Sequence, residues 1–209
     1  MSTWSYKRWV VSFGLCLVAA VAAAADPPPP ETDQPTAPAQ KKWRGLIGAG
    51  LTWGGDELAR VIYTDGSTDH ITAGGEVHMY AGLEYRLDPA VSLQATLGLH
   101  LDSARSASNA GLSFSRVPLE LLVYRHVDEH LRFGAGLRLV SGARLKGTGL
   151  FGGIDRRYGS TLGLVLEAEY LFDHTIGIKL RHVSESYQET FGGPRYSGDH
   201  WGLMANFYF

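Results

Sequence analysis

From Trp43 to Phe209 apolar and polar residues alternate with a period of two, and turn-forming clusters break the alternation into segments. Such alternation marks strands with one apolar and one polar face. The spacing predicts eight strands, near residues 43–53, 75–87, 91–102, 115–127, 131–144, 160–172, 175–185 and 198–209. No helical period competes over comparable lengths. The connections alternate in size. LDPAV, VDEHL and FDHT are tight turns, whereas residues 54–74, 103–114, 145–159 and 186–197 are long and rich in Gly, Ser and charge. Eight antiparallel strands joined in this way close into an up-and-down barrel.

The two faces then decide the solvent. Val77, Met79, Ala81, Leu83 and Tyr85 share one face of the second predicted strand, and Glu76, His78, Tyr80, Gly82 and Glu84 share the other. The third carries Val91, Leu93, Ala95, Leu97 and Leu99 against Ser92, Gln94, Thr96, Gly98 and His100, and the sixth places Leu162, Leu164, Leu166, Ala168 and Tyr170 together. In a soluble barrel the apolar face fills the interior. The reverse assignment, apolar outward and charged inward, agrees better with the strand lengths and with aromatics at the strand ends. Tyr85, Tyr170, Phe172, Phe207 and Phe209 would form an interfacial girdle at the short-turn end. The expected fold is therefore all-β, an eight-stranded antiparallel up-and-down transmembrane β-barrel over residues 43–209.

Hairpin symmetry sets the inward neighbours. Pairing about Glu129 brings Glu120 opposite Arg138, and the following hairpin sets Glu167 and Glu169 beside Arg181 and Lys179. Opposite charges on neighbouring inward positions predict an ion-pair network that plugs a barrel this narrow. Pairing about Pro89 sets His78 against His100, with Glu76 and Asp102 one step outward. That set could ligate a divalent metal, but a polar lumen accounts for it without one, and neither a metal nor a cofactor is expected. The glycines of GTGLFGG read as a flexible loop, because no strand-to-helix unit follows them.

The remaining sequence bears on compartment. Residues 1–25 carry Lys7 and Arg8, an apolar run and Ala23-Ala24-Ala25, the pattern of an export signal peptide. Its removal would take the single cysteine, Cys16, with it. It would also remove two basic residues and no acid, moving the formal charge from −2 to −4. No disulfide and no nucleic-acid partner is expected of such a chain. Residues 26–42 hold six of the nine prolines and read as an extended periplasmic linker.

The chain ends WGLMANFYF. Alternating aromatics up to a terminal Phe resemble the C-terminal signal of bacterial outer-membrane barrels, with Met204 where glycine is commoner. Over residues 43–209 the chain resembles the eight-stranded outer-membrane barrel superfamily that includes OmpA-like domains and OmpW-like proteins. The resemblance implies a monomer in the bacterial outer membrane, with linker and C-terminus in the periplasm. It implies contact with outer-membrane lipid, including lipopolysaccharide, and with the barrel-assembly machinery through the last strand.

His182 and Ser184 end the apolar face of the seventh predicted strand, and Asp199 shares the outward parity of the eighth. Asp199 could orient His182, which would take the proton from Ser184 for attack on an ester carbonyl. This arrangement also resembles the PagL-type lipid A 3-O-deacylases, which carry His-x-Ser on the seventh strand and an acid near the start of the last. Glu185 and Ser186 depart from that family's Asn and small residue, and a carboxylate there would oppose a developing oxyanion. The other reading is a barrel rim, where polar side chains replace leucine beyond the bilayer. The expectation is a non-catalytic barrel, with the lipid esterase as the alternative.

Overall fold

The computed structural model describes residues 42–62, 66–105 and 111–209. The expected signal peptide lies outside them, as does the linker apart from Lys42. In chain order the strands are β1 (Trp43–Gly54), β2 (Glu57–Ile62), β3 (Thr68–Thr72), β4 (Glu76–Asp88), β5 (Val91–Arg105), β6 (Gly111–His126) and β7 (Leu131–Thr148). A short 3-10 turn follows, then β8 (Asp155–Arg157), β9 (Thr161–Leu171), β10 (Ile176–Ser184), β11 (Ser186–Gln188), β12 (Arg195–Ser197) and β13 (His200–Tyr208). Eight of these, β1, β4, β5, β6, β7, β9, β10 and β13, pair antiparallel in that order, and β13 pairs back with β1. The barrel is closed, so every barrel strand has a partner on both sides.

Leucines and aromatics cover the outside. Ile47, Leu83, Leu97, Leu121, Leu137, Leu164, Leu180 and Leu203 are all exposed, while Glu84, Arg132, Glu169, Lys179 and Arg181 are buried in the lumen. That inversion of a soluble core is stable where the surrounding solvent is hydrocarbon. Trp43, Tyr170, Phe172, Phe207 and Phe209 face outward near the short turns, and Trp53 opposes Trp201 near the long loops. Asp128 and Asp173 build two of the short turns by accepting backbone N–H bonds, from His130 and Leu131 and from Thr175 and Ile176, all at 2.7 Å.

The long-loop end differs from expectation. β5, β6 and β7 run past their predicted ends, to Arg105, from Gly111 and to Thr148, so part of GTGLFGG is strand rather than loop. β2 and β3 form a hairpin of their own, and β11 pairs with β12. These additions bury Leu58, Val61, Ile71, Phe114, Leu145, Tyr158 and Tyr187 in one apolar cluster at the end of the lumen. The burial of this cluster repays the ordering of residues that carry no clear strand period.

Candidate functional site

Inward side chains form a ladder of charge along the lumen. Nearest the short turns, Glu84 is shared by Arg44 at 2.8 Å and Arg132 at 2.7 Å. Arg132 reaches on to Glu169 at 2.8 Å and lies over the Tyr124 ring at 4.3 Å. Glu169 also accepts from Tyr208 Oη at 2.6 Å and from Asn206 at 2.7 Å. Deeper in, Lys179 pairs with Glu167 at 2.8 Å and donates to Tyr124 Oη at 2.7 Å. Glu120 then bridges Arg138 at 2.5 Å and Arg181 at 2.7 Å, and Arg138 continues to Glu185 at 2.9 Å.

The predicted register holds. Glu120 is opposite Arg138, Glu167 opposite Arg181, Glu169 opposite Lys179, and His78 opposite His100. The charge partners are partly different, because Lys179 takes the diagonal Glu167 while Glu169 takes Arg132. Long side chains in a tilted lumen reach diagonal and next-strand neighbours as easily as the residue opposite. His78 and His100 stack with ring centroids 4.9 Å apart. Arg138 lies 3.0 Å from His100 Nδ1, and Thr52 Oγ1 lies 2.7 Å from its Nε2. Arg116 Nη2 also approaches this ring, 2.9 Å from Nδ1 and 3.0 Å from Nε2. Asp102 turns to Thr72, accepting its N–H at 2.8 Å, and Glu76 is exposed. No metal-binding cluster of His, Cys, Asp and Glu occurs among the described residues.

At the outer rim, β10 alternates so that His182 and Ser184 face away from the lumen while Arg181 and Val183 are buried within it. Ser184 and Asp199 lie one step beyond the paired Val183 and His200, so they meet across the strands. Both line a cleft of about 580 Å³ outside the wall, together with Leu162, Leu164, Arg195 and Asp56. His182 is not part of it. Its ring packs on Trp201 with centroids 4.7 Å apart. Asp199 Oδ1 instead accepts the Glu185 N–H at 2.9 Å, and its own N–H donates to Ser197 Oγ at 3.2 Å. No hydrogen bond joins His182 to Ser184 or to Asp199 among the described residues. The fold thus brings Ser184 and Asp199 together, with His182 directed elsewhere in this conformation.

Glu185 corrects an expectation. Its carboxylate is buried on the lumen side, accepting from Arg138 Nε at 2.9 Å and Tyr187 Oη at 2.6 Å. It shares the parity of Arg181 and Val183, so its carboxylate is taken up by lumen partners while the residue itself also lines the rim cleft. The cap residues had no counterpart in the sequence reading. Their one local signal is the recurrence of tyrosine in the last long loops, at Tyr158, Tyr187 and Tyr196.

A closed eight-stranded barrel with an apolar exterior, aromatics at both ends and a charged lumen is a transmembrane barrel of the bacterial outer-membrane type. No protein-family model matches the chain, and no curated protein does. Among solved structures it is similar to Ail, the attachment invasion locus protein of Yersinia pestis, in complex with the heparin analogue sucrose octasulfate. The identity is 11%, the TM-score 0.55, and the match covers 81% of this chain and 100% of that one. Ail without that ligand matches at 11% identity and a TM-score of 0.53, over 80% of this chain and 97% of that one. Neisserial surface protein A matches at 9% identity and a TM-score of 0.49, over 81% and 98% of the two chains. At these identities the likeness is one of fold.

Proposed function

We propose that the protein is a monomeric, non-catalytic barrel of the bacterial outer membrane, closed to solutes, that serves envelope integrity or surface contact through its long-loop end. The observation that supports this is the continuous filling of the lumen, from the Arg44–Glu84 pair through the Glu120 bridge to the apolar cap. Paired charges followed by packed apolar side chains leave little room for a continuous water path in a barrel this narrow, which supports the closed reading. In this reading residues 26–42 and the C-terminus are periplasmic, the last strand is the segment the assembly machinery engages, and lipopolysaccharide surrounds the long-loop half. Planar-bilayer recordings should show no stable, large conductance, and a persistent open level would sink the closed-lumen reading. Protease added to intact cells should leave residues 26–42 uncut, and cutting there would invert the orientation.

A second reading rests on the rim cleft. Ser184 and Asp199 meet on the lipid side, and the Glu185 carboxylate is withdrawn into the lumen. An outer-leaflet lipid A 3-O-deacylase would use Ser184 as nucleophile, His182 as base and Asp199 as its orienting acid. It requires His182 to leave Trp201 and Asp199 to leave the Glu185 N–H.

A further inference from the structure

At the short-turn end the ladder of paired charge ends in two cations, Lys42 and Arg86, that lie outside it. Arg86 N–H donates to Lys42 O at 2.7 Å, continuing the β1–β4 ladder beyond the paired Trp43 and Tyr85. Lys42 and Arg86 therefore oppose each other with the parity of Arg44 and Glu84, at the mouth of the lumen. Like charges directly opposite one another destabilise a sheet. The nearest acid, Glu84, is already shared by Arg44 and Arg132. Neither Lys42 nor Arg86 makes an ion pair among the described residues; Arg86 Nη2 donates to Pro89 O at 2.9 Å, and its Nε is buried without a hydrogen-bond partner. The neighbouring turn acids are engaged: Asp88 accepts the Ala90 N–H, Asp128 that of Leu131 and Asp173 that of Thr175. Phe209 O accepts the Gly45 N–H at 2.8 Å. Glu129 lines a smaller adjoining hollow, which Arg44, Arg86, His126 and His174 also line.

These cations border a pocket of about 400 Å³ lined by Lys42, Arg44, Arg86 and His174, with the Glu84 carboxylate, held by Arg44, also in its wall and Trp43 and Phe209 at its apolar edge. Trp43 also borders a second depression, on the outside of the wall. This one measures about 730 Å³ and is lined by Leu83, Tyr85, Leu93, Leu121 and Leu137. A cationic pocket and an apolar groove thus meet at one residue on the barrel lip. The ligand that complements both carries a negative head on an apolar tail.

We infer that the short-turn mouth is a binding site for an anionic phospholipid, its phosphodiester held by Lys42 and Arg86 and one acyl chain lying past Trp43 along the outer groove. Guanidinium and ammonium groups bind phosphate oxygens by charge-assisted hydrogen bonds, and Arg44 stays with Glu84. The site supplies Lys42 and Arg86 with a counter-charge and holds a lipid at the rim. It depends on the membrane-barrel reading, but not on which leaflet the mouth faces.

The test uses the full-length barrel, delipidated in a zwitterionic detergent and offered equal amounts of phosphatidylglycerol and phosphatidylcholine. Native mass spectrometry should find one phosphatidylglycerol retained in preference. Lys42→Gln with Arg86→Gln should lower that retention about tenfold, as expected for lost charge-assisted contacts, and leave phosphatidylcholine unchanged. Trp43→Ala should shorten retention of phosphatidylglycerol, and excess glycerol phosphate should fail to displace it. Equal retention of both lipids, or phosphatidylglycerol retention indifferent to the double substitution, overturns the inference. Full displacement by glycerol phosphate would make this a soluble-phosphate site and overturn the lipid assignment. Heat-modifiable mobility verifies that each variant is folded. Bilayer recordings on the same preparation separate the two readings, because a closed barrel without lipid preference refutes this inference alone.

Discussion

Replacing Glu120 with alanine removes a carboxylate that the buried guanidinium groups of Arg138 and Arg181 share. Its Oε1 lies 2.5 Å from Arg138 Nη1 and 2.7 Å from Arg181 Nη2. After the change Arg138 keeps Glu185 at 2.9 Å, but Arg181 keeps only Glu167, at 3.4 Å, and Lys179 already holds that group at 2.8 Å. Breaking a buried pair by deleting one partner costs about 3–5 kcal/mol, because the remaining charge has lost both water and counter-charge. Because Arg138 keeps a close counter-charge and Arg181 a longer, shared one, Glu120→Ala should fall near the lower end of that range. Glu120→Gln retains the shape and an acceptor, so it should cost about 1.5–3 kcal/mol, the scale of a hydrogen bond to a charged group. Glu120→Ala combined with Arg181→Met removes one cation with the acid and should recover part of the loss, a coupling that a double-mutant cycle reads directly. The assay is urea-driven unfolding of barrel folded into lipid vesicles. Its signal is tryptophan fluorescence from Trp43, Trp53 and Trp201, which all face outward. Equal midpoints for wild type and Glu120→Ala, at unchanged slope, would mean that water satisfies the guanidinium groups. The lumen network would then not be held by ion pairs.

Gly136→Ala should destabilise the barrel by about 1–3 kcal/mol in the same assay, since overpacking forces backbone shifts. An added Cβ would sit 2.0 Å from Leu121 O on the adjacent strand, and an unchanged midpoint would refute that contact. The Asp128 and Asp173 carboxyls are held below the usual carboxylate range by backbone N–H donors in their turns. Their contribution is complete above the unfolded pKa and lost as pH falls through the lowered folded value. Asp128→Asn with Asp173→Asn should therefore flatten the acid-side decline in stability below about pH 4; an unaltered decline would assign it to other groups. Purified wild type should release no 3-linked hydroxy fatty acid from lipid A, as judged by mass spectrometry. Release that Ser184→Ala abolishes would replace the non-catalytic reading with the esterase.

The sequence by itself determined the eight strands, their in-and-out parity and the hairpin registers. Each of these follows from a period of two and from local turns. Glu120 against Arg138 and His78 against His100 each needed only the centre of its own hairpin. The positions of His182, Ser184 and Asp199 on the outer face were legible for the same reason. What their side chains bond to was not, because Asp199 could reach either His182 or the Glu185 N–H, and local packing chose the latter. Parity alone would have turned Glu185 inward, had it been followed one residue beyond the apolar run. Only the tertiary structure decided the cap, in which Ile71, Phe114, Leu145, Tyr158 and Tyr187 meet from segments far apart in the chain. Their burial depends on loops closing over a barrel that must already exist. The grouping of cations at the opposite mouth was equally hidden. Lys42, Arg44 and Arg86 are unremarkable surface charges along the sequence, and they become neighbours only when β1 and β4 pair to the end of their ladder.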